Sequence, residues 1–117
     1  MERGDVYDAK LDPVEGSEQS GTRPVVIVSR NVINIHSSVV LAVPCTTYRE
    51  NRRVYPTQVL VVAPDGGLTN NSIFMTDQVR VLAKSRLLKL RGRLSATAIE
   101  QLNQALIIAL DLYDPYT

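Results

Sequence analysis

Residues 15–28 read EGSEQSGTRPVVIV. The first eight residues are small, polar or charged. One arginine, one proline and four consecutive β-branched residues follow. Such a polar run is loop chemistry, whereas VVIV has no polar face and predicts a strand buried on both sides, over Pro24 to Ser29. Pro24 biases the residue before it towards extended geometry. The segment therefore delivers a single cation, Arg23, to the start of a buried strand, with Glu18 five residues upstream.

The chain on either side has the same short-strand character. Val6 to Leu11 predicts a strand that ends at Asp12-Pro13, and a Gly/Ser-rich loop covers 14–22. Residues 30–37 leave the sheet through a helical turn. Ser38 to Thr46 is a further apolar strand, and TYRENRRVYP at 47–56 is a polar, basic loop. Thr57 to Ala63 returns as a strand, and PDGG at 64–67 is a turn. Ser72 to Met75 and Gln78 to Leu82 are short strands joined closely. The period then changes. Ser85 to Leu90 is expected to form a short helix. Ser95 is an N-cap, and Ile99, Leu102, Leu106, Ala109, Leu110 and Tyr113 recur at helical spacing until Pro115 closes the helix. Ala105, Ile107 and Ile108 lie off that stripe. They widen the apolar face for core packing or, in part, for a subunit interface. Many short strands before one amphipathic helix predict a mainly β fold, a small barrel with a helix packed on it, in one domain over 1–117.

Hydrophobic residues make up 44% of the 117 residues, enough for a core without covalent staples. The one cysteine, Cys45, excludes an internal disulfide. No apolar run approaches the ~18 residues of a membrane span, and no signal pattern is present, so a cytoplasmic protein with no membrane partner is expected. The net charge of +1 is uninformative, but its distribution is not. Six acids (Glu2, Asp5, Asp8, Asp12, Glu15, Glu18) fall within 1–18, and six bases (Arg80, Lys84, Arg86, Lys89, Arg91, Arg93) within 80–93. RENRR at 49–53 is a second basic group. Ten of the thirteen cations are arginine, the side chain suited to bidentate phosphate contact.

Several chemistries are excluded by absence. One histidine, His36, cannot supply a two-imidazole mechanism, and its setting reads as a turn or surface residue. No Cys/His cluster exists for zinc, so no metal site and no cofactor are expected. Cys45 lies in an apolar strand without a nearby histidine and reads as a buried structural thiol. Phosphate-loop and dinucleotide fingerprints are missing. The polar groups that remain sit at strand ends. They are Ser17-Glu18-Gln19 with Arg23, then Thr46-Thr47, and more weakly Asp77-Gln78. An ion pair between Glu18 and Arg23, and hydroxyls that satisfy backbone groups, are the plain structural readings.

RGDVYDAKLDP, GSEQSGTRPVVIVS, VPCTT, YP and DQVR, in this order, resemble the MazF/PemK toxins of bacterial toxin–antitoxin pairs. The likeness runs from about Arg3 to Arg80. It implies an SH3-like small β-barrel with a C-terminal helix, and a homodimer. It also implies a metal-independent endoribonuclease that cuts single-stranded RNA at short sequences, paired with a MazE-like antitoxin. By motif match the catalytic arginine falls on Arg23 and the catalytic threonine on Thr46, while Glu18 matches an acid implicated in some members. Ser17, Gln19, Thr47, Tyr55, Pro56, Asp77 and Gln78 fall in segments that bind RNA. The loop 48–55 is longer and more basic than in some members, and Thr22 stands where some relatives carry histidine. The basic tracts 49–53 and 80–93 are expected to attract an acidic antitoxin segment.

The implied chemistry gives the opening stretch a use. RNA carries its own nucleophile, the 2′-hydroxyl, and attack on the adjacent phosphate leaves a 2′,3′-cyclic phosphate and a 5′-hydroxyl. An arginine fork can meet the negative charge of the phosphorane, a contribution of ~3–4 kcal/mol for one well-aimed donor. Glu18 is chemically the better base, although the family is often described with arginine itself moving a proton. Two other readings share the fold or the composition. Gyrase-poisoning relatives act through a C-terminal tryptophan, and this sequence has no tryptophan. An inactive RNA- or protein-binding relative has no need of an intact Arg23 and Thr46.

Overall fold

The computed structural model describes residues 1–12, 15, 16, 18 and 21–113. Seven strands and two α-helices make up the framework. The strands are β1 Asp5–Lys10, β2 Thr22–Ile27, β3 Val39–Thr47, β4 Gln58–Val61, β5 Ser72–Met75, β6 Arg80–Ala83 and β7 Leu87–Arg93. The helices are α1 Asn31–His36, between β2 and β3, and α2 Ala96–Leu110 at the C-terminal side. All strand pairings are antiparallel, in the order β4-β5-β3-β2-β1-β7, with β6 on β3 beside β5. The two ends of this order meet. A 3-10 turn, Asp65–Gly67, follows β4 and packs on β7, where Arg91 Nε donates to the Gly67 carbonyl at 3.2 Å. That contact curls an open sheet into a small barrel-like fold.

The β-branched run of β2 is buried on both faces, as its composition predicts. Val26 joins Val6, Val43, Phe74 and Leu102 in a core that α2 covers. Val25 and Ile27 join Ala9, Leu11, Val40 and Leu82 in a second core on the other side. Helix α1 is tied to the sheet through buried Asn34. Its amide donates to the Ser29 carbonyl at 2.9 Å, while Ser29 Oγ donates to Asn34 Oδ1 and accepts from the Leu41 amide at 3.1 Å. Buried polar groups left unmatched here would each cost ~1–3 kcal/mol.

Three expectations are corrected. Ser85 to Leu90 is not a helix: a 3-10 turn at Lys84–Arg86 leads straight into β7. Leu, Lys and Arg favour helix locally, but β1 offers a full edge of hydrogen-bonding groups, and pairing along it wins. The last helix does not run to Pro115. It stops at Leu110, where Asp111 takes the left-handed conformation at φ 53° and its amide caps the Ile107 and Ile108 carbonyls. Pro115 itself lies outside the described residues. Tyr113, expected on the helical stripe, is beyond the helix and exposed. The buried face of α2 is Ala98, Leu102, Ala105 and Leu106, so Ala105 belongs to the core and Leu110 does not. Ser95 caps the helix as expected, its hydroxyl accepting from the Ala98 amide at 3.2 Å.

The separated acidic and basic tracts are in part each other's partners. Because β1 pairs with β7, Arg93 reaches Asp5 at 3.3 Å and Glu2 at 3.4 Å, and Arg91 reaches Asp8 at 3.2 Å. Half of the 80–93 tract is thus turned to its own chain: Arg86 also donates to the Lys10 and Asp12 carbonyls.

Candidate active site

Arg23 is placed by the pairing of β2 with β1. It pairs with Ala9 of β1, and Pro24 behind it pairs with Asp8. On the far edge β2 pairs with β3 in the register Val25↔Pro44. That pairing ends there, two residues from Arg23 on β2 and two from Thr46 on β3, and β3 pairs with β5 over Cys45, Thr46 and Thr47. Both residues are half-buried at the mouth of the split between β2 and β3.

Alternation along β3 divides the site into two sides. Pro44 lines a cavity of 240 Å³ together with Glu18, Asp77, Gln78, Val79 and Arg80. The 3-10 turn Thr76–Gln78 between β5 and β6 brings Asp77 and Gln78 to it. Cys45 and Thr47 point the other way. They line a cavity of 150 Å³ with Arg23, Ser72, Thr69, Asn70 and Arg91. Of the expected residues, Glu18, Asp77 and Gln78 thus line one cavity and Arg23 and Thr47 another, while Thr46 lines neither.

The loop between β1 and β2 is fastened at its base. The Leu11 amide donates to the Gly21 carbonyl at 2.9 Å, and the Gly21 amide donates to Asp12 Oδ1 at 3.1 Å. Gly21 holds φ +75°, which a side chain would disfavour. Glu18 is exposed, and its amide donates to the Glu15 carbonyl at 3.4 Å. Ser17 and Gln19 lie outside the described residues.

The remaining expected positions are spread more widely. Tyr55 is about half exposed beyond the basic loop, with the Arg53 guanidinium 5.2 Å from its ring centre. Pro56 lines a different cleft, between β4 and α2, with Val59, Ala105 and Ile108. His36 is exposed, as its setting suggested. Cys45 is buried at 2% exposure, and burial pushes its thiol up to about 12, with Ser72, Arg23 and Arg91 pulling weakly the other way. It cannot serve as a thiolate nucleophile near neutral pH. Among the described residues no cluster of three His, Cys, Asp or Glu side chains could hold a metal ion, and no helix is long and apolar enough to cross a membrane.

Sequence reading missed Arg91 and Asp8 at this site. Arg91 Nη1 donates to Asp8 Oδ1 at 3.2 Å and Nη2 to Thr69 Oγ1 at 3.2 Å. Their approach follows from the β1–β7 pairing, which no local pattern in KLRGR announces.

The family model of the PemK-like, MazF-like toxin of type II toxin-antitoxin systems matches residues 2–110. The chain belongs to this family. It is 40% identical over 113 residues to an Endoribonuclease MazF of Staphylococcus saprophyticus, covering 97% of this chain and 93% of the relative. It is 38% identical over 118 residues to Endoribonuclease MazF9 of Mycobacterium tuberculosis, covering 97% and 98%. Among solved structures it is similar to an endoribonuclease in complex with its cognate antitoxin from a mycobacterial species. That match has a TM-score of 0.80 and 33% identity, over 98% of this chain and 99% of that one. A MazF of Deinococcus radiodurans, 23% identical with a TM-score of 0.80, shares the fold. The barrel-like sheet and C-terminal helix are thus those of the MazF-like toxins.

Proposed function

We propose that this MazF-like chain is a toxin endoribonuclease that cuts single-stranded RNA without a metal ion, leaving a 2′,3′-cyclic phosphate and a 5′-hydroxyl. The observation that carries the reading is Arg23, half-buried near the start of β2 and bordering a polar cavity with Thr47. The endoribonuclease names of its relatives support the same activity. In the step proposed, the 2′-oxygen bonds to phosphorus and the bond to the 5′-oxygen breaks. Arg23 meets the charge that grows on the non-bridging oxygens, and Thr46 donates a hydrogen bond to the same phosphate. Glu18 takes the proton of the 2′-hydroxyl, and a second proton reaches the leaving 5′-oxygen. Ser17, Gln19, Thr47, Tyr55, Pro56, Asp77 and Gln78 contact the RNA in this reading.

The same reading makes the chain a cytoplasmic homodimer controlled by a MazE-like antitoxin, supported by a mycobacterial relative solved with its cognate antitoxin. The half-exposed Ile108 and Leu110 on α2 suit a subunit contact. Arg49, Arg52 and Arg53, all exposed, suit an acidic antitoxin segment better than the half-engaged 80–93 tract.

The test is incubation with a defined long RNA in EDTA, followed by mapping of the new 5′ ends. Cleavage at a short recurring sequence with 5′-hydroxyl ends is expected. Activity that vanishes with chelator and returns with magnesium overturns the mechanism.

A further inference from the structure

We infer that the cavity between Arg23 and Arg91 is a subsite for one nucleobase of the RNA, next to the scissile phosphate, with Arg91 as its specificity-determining residue. The inference rests on the ribonuclease reading of Arg23 and deepens it. The cavity borders Arg23 on the side of β3 away from Glu18, so a nucleotide whose phosphate lies at Arg23 can drop its base there.

Charge selects the ligand. Arg91 is only 19% exposed at its side chain and is neutralised by Asp8 at 3.2 Å. A second phosphate would find little net charge on that wall, whereas a neutral, hydrogen-bonding ring finds partners all round. Thr47 and Thr69 offer hydroxyls, and Asn70 offers an amide that both donates and accepts. The volume of 150 Å³ suits one base ring and not a further nucleotide. Among the described residues no aromatic side chain lines the cavity, so the base is read by hydrogen bonds at its edge rather than by stacking.

Arg91 is also held ready. Nε donates to the Gly67 carbonyl at 3.2 Å, Nη1 to Asp8 and Nη2 to Thr69 Oγ1. A guanidinium has five N–H groups, so two remain to meet acceptors on a base. A side chain fixed before the ligand arrives loses little freedom on binding, which favours discrimination between bases.

The experiment compares the wild-type chain with Asn70→Ala and Arg91→Lys on a pool of RNAs randomised around a mapped cut site. Sequencing of the 5′-hydroxyl ends gives the base preference at each position, and kcat and KM are measured on the preferred sequence. Both variants are expected to relax the preference at one flanking position by ~10-fold or more while the other positions keep theirs. For Arg91→Lys, the loss should appear on the preferred base and be much smaller on the others. Asn70 is exposed on a loop, so its variant decides the matter if Arg91→Lys misfolds. Unchanged preference at every position overturns the subsite and leaves the ribonuclease reading standing. A wild-type chain that cuts no RNA in the pool overturns both.

Discussion

Arg86 Nη1 donates to the Lys10 carbonyl at 3.0 Å and also to that of Asp12, so a side chain from the turn before β7 holds the foot of the loop that carries Glu18. The same foot is closed by the Leu11–Gly21 and Asp12–Gly21 hydrogen bonds, one residue short of β2. Arg86→Ala removes the strap without touching either cavity. We expect the single-turnover cleavage rate to fall by ~10- to 100-fold, because small errors in placing catalytic groups are costly. Near-UV circular dichroism should stay native, and Arg86→Lys should restore part of the rate. A full rate in Arg86→Ala would show that the strap has no part in placing the loop.

The seam where the 3-10 turn meets β7 is a stability prediction. Gly67 sits at φ +71°, and a Cβ there would lie 2.0 Å from the Arg91 carbonyl oxygen. Gly67→Ala must both strain the backbone and push β7 away from the turn. The expected cost is about 3 kcal/mol, seen as a fall in Tm of ~10 °C or more. Gly16→Ala, where a Cβ meets nothing within 4 Å and only the positive φ opposes it, should cost less.

Cys45 should be chemically silent in the folded chain. Its thiol is raised to about 12, against about 9 for a free thiol. Thiol reagents are expected to label it at neutral pH only on unfolding, at the rate set by denaturant. The linkage has a definite sign. The folded state keeps the proton that the unfolded state gives up, so this group leaves stability unchanged below about 9 and lowers it as pH rises from about 9 towards about 12. Cys45→Ala should flatten that part of the stability profile. Rapid labelling of the native chain at pH 7 would contradict the burial.

How legible the molecule was in its sequence depended on how local each signal was. The VVIV run, the PDGG turn and the Ser95 cap act through their own neighbours, and each stands close to where its residue types put it. Ser85 to Leu90 reads as helix because SRLLKL has helical propensity, and only the distant edge of β1 makes Leu87 to Leu90 part of a strand. The pairing of Arg91 with Asp8 has the same origin, with the partners 83 positions apart. Arg23 and Thr46 could be named from motifs, but their placement on neighbouring strands depends on the β2–β3 pairing, which the sequence does not announce.

The last prediction separates charge from proton transfer at the two cavities. Arg23→Lys keeps a positive charge but loses the planar fork, and Arg23→Ala loses both. Arg23 stands half-buried at a strand end rather than within either core, so both variants should fold. If Arg23 stabilises the phosphorane, both should lose most of the cleavage rate, by ~10²–10³-fold for the alanine variant. Glu18→Gln keeps shape and hydrogen-bonding capacity but removes the proton acceptor, in the neighbouring cavity with Asp77 and Gln78. As general base, Glu18 predicts a single-turnover loss of ~10²-fold or more, together with loss of the acidic limb of the pH–rate profile. A near-normal rate and an unchanged profile in Glu18→Gln would reduce Glu18 to a residue that positions RNA, and the proton would have to leave by another route. A near-normal rate in Arg23→Ala would remove the ribonuclease assignment from this site altogether.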